Sequence, residues 1–189
     1  MSGEKIDAAK AGLNSALNDV KNAGDGNYTQ VIFFDSSVRD GGKFVGGSSI
    51  TNFETLRISG SGTALYDAIC EGVNSLPKGF DGGVVNIFTD GEENSSKKYT
   101  FKDVKKIIKK LRKNDWLVSF VGADEESIKT AQSFGVSRGM TKSFNDSAAE
   151  YGSIVYSVNA TNTSYRSAVN ADTLTSIDEF ETENNINQS

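Results

Sequence analysis

Val84-Val85-Asn86-Ile87-Phe88-Thr89-Asp90-Gly91-Glu92 is the stretch that decides the fold. Its first five residues form a short apolar run rich in β-branched side chains, and the next four are turn formers with two carboxylates. The pattern predicts a buried strand that leaves through an acidic turn. Downstream, Phe101, Val104, Ile107, Ile108 and Leu111 fall at helical spacing, and Trp116-Leu117-Val118-Ser119-Phe120-Val121 is a further apolar run. Strand, helix and strand in that order make the crossover unit of a parallel sheet.

The alternation continues in both directions. Residues 4–21 place Ile6, Ala9, Leu13, Ala16, Leu17 and Val20 on one helical face; 31–34 read as a buried strand that ends at Asp35-Ser36-Ser37. Asp40-Gly41-Gly42 then turns the chain into an antiparallel edge strand at Lys43-Phe44-Val45. Thr51-Asn52-Phe53-Glu54 fits the capping box of a short helix, and Thr63 opens another helix lined by Leu65, Ala68, Ile69 and Val73. Helices at 125–133 and 146–168 flank a short strand at 141–144. The expectation is an α/β, Rossmann-like domain over 1–170, a mostly parallel central sheet with one antiparallel edge strand and helices on both faces. Residues 171–189, dominated by Thr, Asp, Glu and Asn, read as a flexible acidic tail.

Composition removes several kinds of chemistry. The 189 residues contain no histidine, which excludes Ser-His-Asp and Cys-His catalysis and the common zinc sites. The single Cys70 lies among Ala68, Ile69 and Val73 and reads as a core residue, and Tyr151, Tyr156 and Tyr165 read as packing residues of the last helix. Net charge is -5, the wrong sign for a general nucleic-acid binder, yet residues 97–113 carry +8 and leave -13 on the rest. The helix at 102–113 has a regular apolar stripe, so its lysines read as the solvated face of an outer helix. No run approaches the length of a membrane span and no signal peptide opens the sequence, so the expected setting is cytoplasmic, away from membranes.

In such a sheet, ligands bind beyond the carboxyl ends of the strands. Two motifs fall there: Ser59-Gly60-Ser61-Gly62-Thr63-Ala64-Leu65-Tyr66-Asp67, which presents a hydroxyl at a helix start, and the Thr89-Asp90-Gly91-Glu92 turn, which presents a carboxylate. Together they are hard oxygen donors suited to Mg²⁺. Read separately, Thr63 is an N-cap and Asp90-Gly91 an ordinary turn. Glu92 and Glu93 face solvent in this reading.

With these motifs the sequence resembles a von Willebrand factor A domain over roughly residues 1–165, including the ends of the strands at Phe33-Phe34-Asp35-Ser36-Ser37 and Phe120-Val121-Gly122-Ala123. The family holds a metal with a first-strand D-x-S-x-S motif, a loop threonine and the aspartate of a T-D-G turn. The resemblance implies that Thr63 is a direct or water-bridged ligand of Mg²⁺ or Mn²⁺ and Asp90 an outer carboxylate, with Ser36, Ser37, Ser61, Gly62 and Glu92 on a rim that meets the partner. The first motif is missing. Met1-Ser2-Gly3-Glu4-Lys5-Ile6 matches the continuation of D-x-S-G-S-M-x-G, so the resemblance puts that strand ahead of Met1. A start assigned too late, a truncation filled by another segment or chain, and a degenerate domain all fit this departure. Loss of a central strand would remove about 10 kcal/mol of apolar burial, against a whole-domain stability of about 5–15 kcal/mol. Asp35-Ser36-Ser37 is a competing source of donors, although Arg39 stands where the second spaced serine would be.

The function implied is a non-enzymatic protein-binding module in which the metal completes its coordination with a carboxylate from a protein partner. Because the first motif is absent, the resemblance implies impaired metal binding in this chain. Family members of this plain type occur in bacteria and their viruses, some of them working with AAA+ ATPases. Two other readings stay open: a Mg²⁺-dependent phosphate- or nucleotide-handling enzyme using Asp35 or Asp90, and an adaptor that touches nucleic acid through the basic helix.

Overall fold

The computed structural model describes residues 4–22, 28–45, 61–79, 82–144 and 148–186. They form helices α1 (Glu4–Asn22), α2 (Leu65–Asn74), α3 (Phe101–Lys113), α4 (Glu125–Phe134), α5 (Ala148–Asn170) and α6 (Ile177–Glu183), and strands β1 (Tyr28–Phe34), β2 (Val38–Val45), β3 (Val84–Phe88), β4 (Leu117–Gly122) and β5 (Thr141–Ser143). The α/β class and the alternation of elements follow the sequence pattern. The short helix expected from Thr51 to Arg57 lies outside the described residues.

β4 organises the larger sheet. It pairs in parallel with β3 on one side, from Val84 opposite Leu117 to Phe88 opposite Val121, and with β5 on the other. All six of its residues are buried, because it has a strand on each side and helices packed against it. The one hydroxyl in its core is satisfied: Ser119 Oγ donates to Asn86 Oδ1 across the strands at 2.6 Å. α3 links β3 to β4 and buries Val104, Ile108 and Leu111 against them. Its first turn is held by a capping box, with Asp103 Oδ2 accepting from Thr100 N at 2.8 Å and Thr100 Oγ1 at 2.6 Å. These two bonds hold the Asp103 carboxyl below its usual range. At α4, Asp124 Oδ1 accepts from Ser127 N at 2.8 Å and caps the helix.

The described strands fall into two sheets rather than the single continuous one the sequence pattern suggests. β1 and β2 form a separate antiparallel pair, with a bulge between Val31 and Ile32. Among the described residues, β1 is paired only with β2 and β3 only with β4. β3 shows the consequence: Asn86 is exposed and Val84 and Val85 are half-buried, where β4 is buried throughout. Helices nonetheless connect the two sheets. α2 packs on β1 and joins the core that contains Ile87 of β3, while α1 packs on β1 and on α5. The α1–α5 crossing needs Gly12, where an added Cβ would lie 1.9 Å from Val155 Cγ1; Asn159 Nδ2 donates to the Gly12 carbonyl at 3.1 Å.

The tail reading requires correction. Residues 177–183 form α6, capped by Ser176, and Ile177, Phe180 and Ile186 are buried in the main core. Sequence composition pointed to disorder because the anchors are few and widely spaced, but each has a site: Phe180 stacks edge-on against Tyr165 with ring centroids 5.5 Å apart. Arg112 of α3 completes the attachment, its Nη1 lying 2.6 Å from both oxygens of Glu181 and its Nη2 2.5 Å from Asp178 Oδ1. Glu181 is only 2% exposed, and burial pushes its carboxyl above the usual range despite the Arg112 guanidinium. Tyr151 and Tyr165 are buried as expected, whereas Tyr156 is 77% exposed and stands outside the core.

Removing one member of a buried ion pair leaves the other charge without compensation. Arg112→Ala is therefore expected to lower unfolding free energy by about 3 kcal/mol in a denaturant titration. Adding Glu181→Gln to that variant should recover part of the loss, because no buried charge then remains.

Candidate functional site

The carboxyl ends of β1 and β3 meet at one loop. The Asp35 carbonyl that follows β1 accepts from Ala64 N at 2.6 Å. One residue earlier, the Thr63 side chain lies against the turn after β3, where a Cβ added to Gly91 would be 2.3 Å from Thr63 Oγ1. Position 91 is glycine because a side chain there would displace this hydroxyl. Thr63 is fixed on its other side as well: its carbonyl accepts from Asn94 N at 3.1 Å and Ser95 N at 3.2 Å, and its own N–H donates to Asn94 Oδ1 at 2.8 Å. Thr89 closes the acidic turn, its Oγ1 donating to the Gly91 carbonyl at 3.0 Å and accepting from Gly91 N at 3.2 Å.

The structure thus brings Thr63 and the Asp90-Gly91 turn together, as the two sequence motifs anticipate. Thr63 does not cap the helix it precedes. Ala64 occupies the N-cap position of α2 and supplies no side-chain bond. The free helix amides are instead satisfied from the 93–96 loop: Tyr66 N donates to Glu93 Oε2 at 2.9 Å and Asp67 N to Ser96 Oγ at 3.1 Å. Glu93 therefore does not face solvent. Its carboxylate also accepts from Ser95 N, Ser96 N and Ser96 Oγ at 2.9, 2.8 and 2.6 Å.

Asp67 extends the same clamp. It is 6% exposed, and its carboxylate accepts from Lys97 N at 2.8 Å, Lys98 N at 3.0 Å and Tyr99 N at 2.8 Å. Burial alone would raise the Asp67 carboxyl, but the three backbone amides together hold it below its usual range. The sequence signal for this role was available: Asp67 interrupts an apolar helix face, and Glu93 precedes a run of small residues whose amides it can reach.

The remaining candidates are more peripheral. Ser36, Ser37, Ser61 and Glu92 are exposed and Gly62 is half-buried, with a Cβ at 62 falling 2.0 Å from Ser95 Oγ. Asp35, the competing donor, is buried and already engaged: Oδ1 accepts from Ser37 N and Oγ, and Oδ2 lies 2.9 Å from Arg39 Nη2. The arginine that breaks the serine spacing in the sequence neutralises that carboxylate in the fold. Tyr151 stands behind the turn; burial raises its phenol and the Asp90 carboxylate adds to the effect. Cys70 is fully buried and its thiol is pushed up to about 12 by burial first and by Asp103 and Asp67, which makes it inert as a nucleophile at neutral pH.

Mg²⁺ demands close to six oxygen ligands and gives up water reluctantly. Thr63 contributes one hydroxyl here and Asp90 one carboxylate, and among the described residues no three acidic or thiol side chains converge. These residues do not by themselves fit a Mg²⁺ or Mn²⁺ centre.

Compared with protein-family models, curated proteins and solved structures, the chain matches none.

Asp67→Asn keeps the shape of the clamp but weakens its charge-assisted bonds, and a loss of about 2 kcal/mol is expected. Because the folded carboxyl is depressed, Asp67 stabilises the protein above about pH 4, the unfolded value, and that contribution disappears as pH falls through the lower folded value. Thermal midpoints measured from pH 7 to pH 2 should fall less steeply on the acid side for the variant than for the wild type.

Proposed function

We propose that this chain is a protein-binding module of the von Willebrand factor A type, without enzymatic activity. The observation that supports it is the convergence of the β1 and β3 ends on Thr63–Ala64 while the two strands remain unpaired with each other among the described residues. In the resembling family a strand bearing D-x-S-x-S belongs in the middle of the sheet, and a strand between β1 and β3 would unite the two sheets into one layer between helices. Its serine and aspartate oxygens would then join Thr63 and Asp90. The metal would take its last ligand from a carboxylate on a protein partner, an AAA+ ATPase being the class of partner that the resemblance suggests.

The chemistry of this edge favours adhesion over turnover. Glu93 is held by backbone amides, Asp35 is neutralised by Arg39, and the Cys70 thiol is buried, and among the described residues no base is seen to activate the Thr63 hydroxyl. The Gly62–Thr63 approach also lacks the lysine that a phosphate-binding loop would use.

Calorimetric titration with MgCl₂ and MnCl₂ tests the proposal. The chain as given should show no micromolar binding, whereas a version extended at its N-terminus by an apolar strand ending in Asp-x-Ser-Gly-Ser should bind. Thr63→Ala and Asp90→Ala in that extended version should each weaken affinity by at least about tenfold. Micromolar affinity in the unextended chain, or steady nucleotide hydrolysis by either version, would overturn it.

A further inference from the structure

Lys102, Lys105, Lys106, Lys109, Lys110 and Lys113 are all exposed on α3. At 3.6 residues per turn they fall within an arc of about 140°, along about 16 Å of helix axis. The other face of α3 is anchored, with Val104 and Ile108 at 0% exposure and Leu111 at 6%. The acid on this helix, Asp103, is engaged in the capping box, and Arg112 is turned toward Glu181 and Asp178. None of the six lysines forms an ion pair among the described residues. The result is a face of six exposed lysines on an anchored helix, in a chain whose charge outside residues 97–113 is -13.

We propose that this lysine face binds the phosphate backbone of a duplex nucleic acid without reading its sequence. Lysine is a compact point charge suited to phosphate, and the face offers no free guanidinium or amide fork for the edges of bases. A protein partner fits poorly, since protein interfaces deplete lysine and require an apolar centre, and Val104, Ile107, Ile108 and Leu111 of α3 pack into the core. A membrane also fits poorly. The one exposed apolar side chain of α3, Phe101 at its first turn, is 36% exposed and leans on Phe134 with ring centroids 5.2 Å apart, so a membrane would find a single ring beside the lysines rather than an apolar face to insert. A bilayer is moreover a broad plane that would bring much of the acidic remainder of the chain against a like charge, whereas a duplex can lie along the helix, where the neighbouring acids Asp178 and Glu181 are paired with Arg112. The net charge of -5 is an average that hides this separation.

Fluorescence anisotropy with a fluorescein-labelled DNA duplex of about 20 base pairs provides the test. Neutralising four to six phosphates predicts a slope of log K against log salt between about -3.5 and -5.5, the same for two unrelated sequences. The quadruple variant Lys105→Glu, Lys106→Glu, Lys109→Glu, Lys110→Glu should keep the wild-type thermal midpoint within a few degrees and lose at least about 100-fold in affinity at 50 mM salt. A control with Lys21, Lys43, Lys78 and Lys129 changed to glutamate alters net charge equally and should lose less than about tenfold. Absence of binding at about 100 μM protein and 50 mM salt, equal losses in the two quadruple variants, or binding to phosphatidylserine vesicles but not to duplex would overturn the proposal.

Discussion

The carboxylates of Asp67 and Glu93 hold the functional edge together. Each lies where a helix N-terminus and an irregular loop present backbone amides that no strand or helix can satisfy, and between them they accept from residues 66, 95, 96, 97, 98 and 99. Buried amides without partners cost about 1–3 kcal/mol each, so the two carboxylates are what hold the loop close to α2. Once 93–99 is fixed, Asn94 and Ser95 fix Thr63, and Thr63 fixes the distance between the ends of β1 and β3.

Charge is used differently in different parts of the molecule. At the loop, carboxylates meet backbone dipoles; at α6, the buried Glu181 meets Arg112; along α3, lysines gather on the face that packing leaves outside. The first two arrangements join elements distant in sequence. The third is local, because a helix that buries Val104, Ile108 and Leu111 must present the residues between them to solvent.

The order of helices and strands up to α5, the parallel pairing in the larger sheet and the position of Thr63 and Asp90 at its carboxyl edge were legible in the sequence. These features depend on periodicity and on residues within a few positions of one another, such as the apolar run 84–88 followed at once by its acidic turn. The reach of Glu93 back to Tyr66, the arginine clamp on Glu181 and the seat of Phe180 against Tyr165 were not legible, because each joins residues whose separation in the chain carries no pattern. Exposed Tyr156 on an otherwise packing helix shows the same limit from the other side.

By itself, then, the sequence determined the α/β class, the absence of histidine chemistry and the concentration of positive charge on one helix. Only the tertiary structure decided that the described strands divide into two sheets, that Arg39 neutralises Asp35, and that an acidic C-terminal segment folds onto the core. The physical reason is that propensity and amphipathicity act over one or two turns of chain, while strand pairing and charge burial depend on which distant groups arrive together and exclude water.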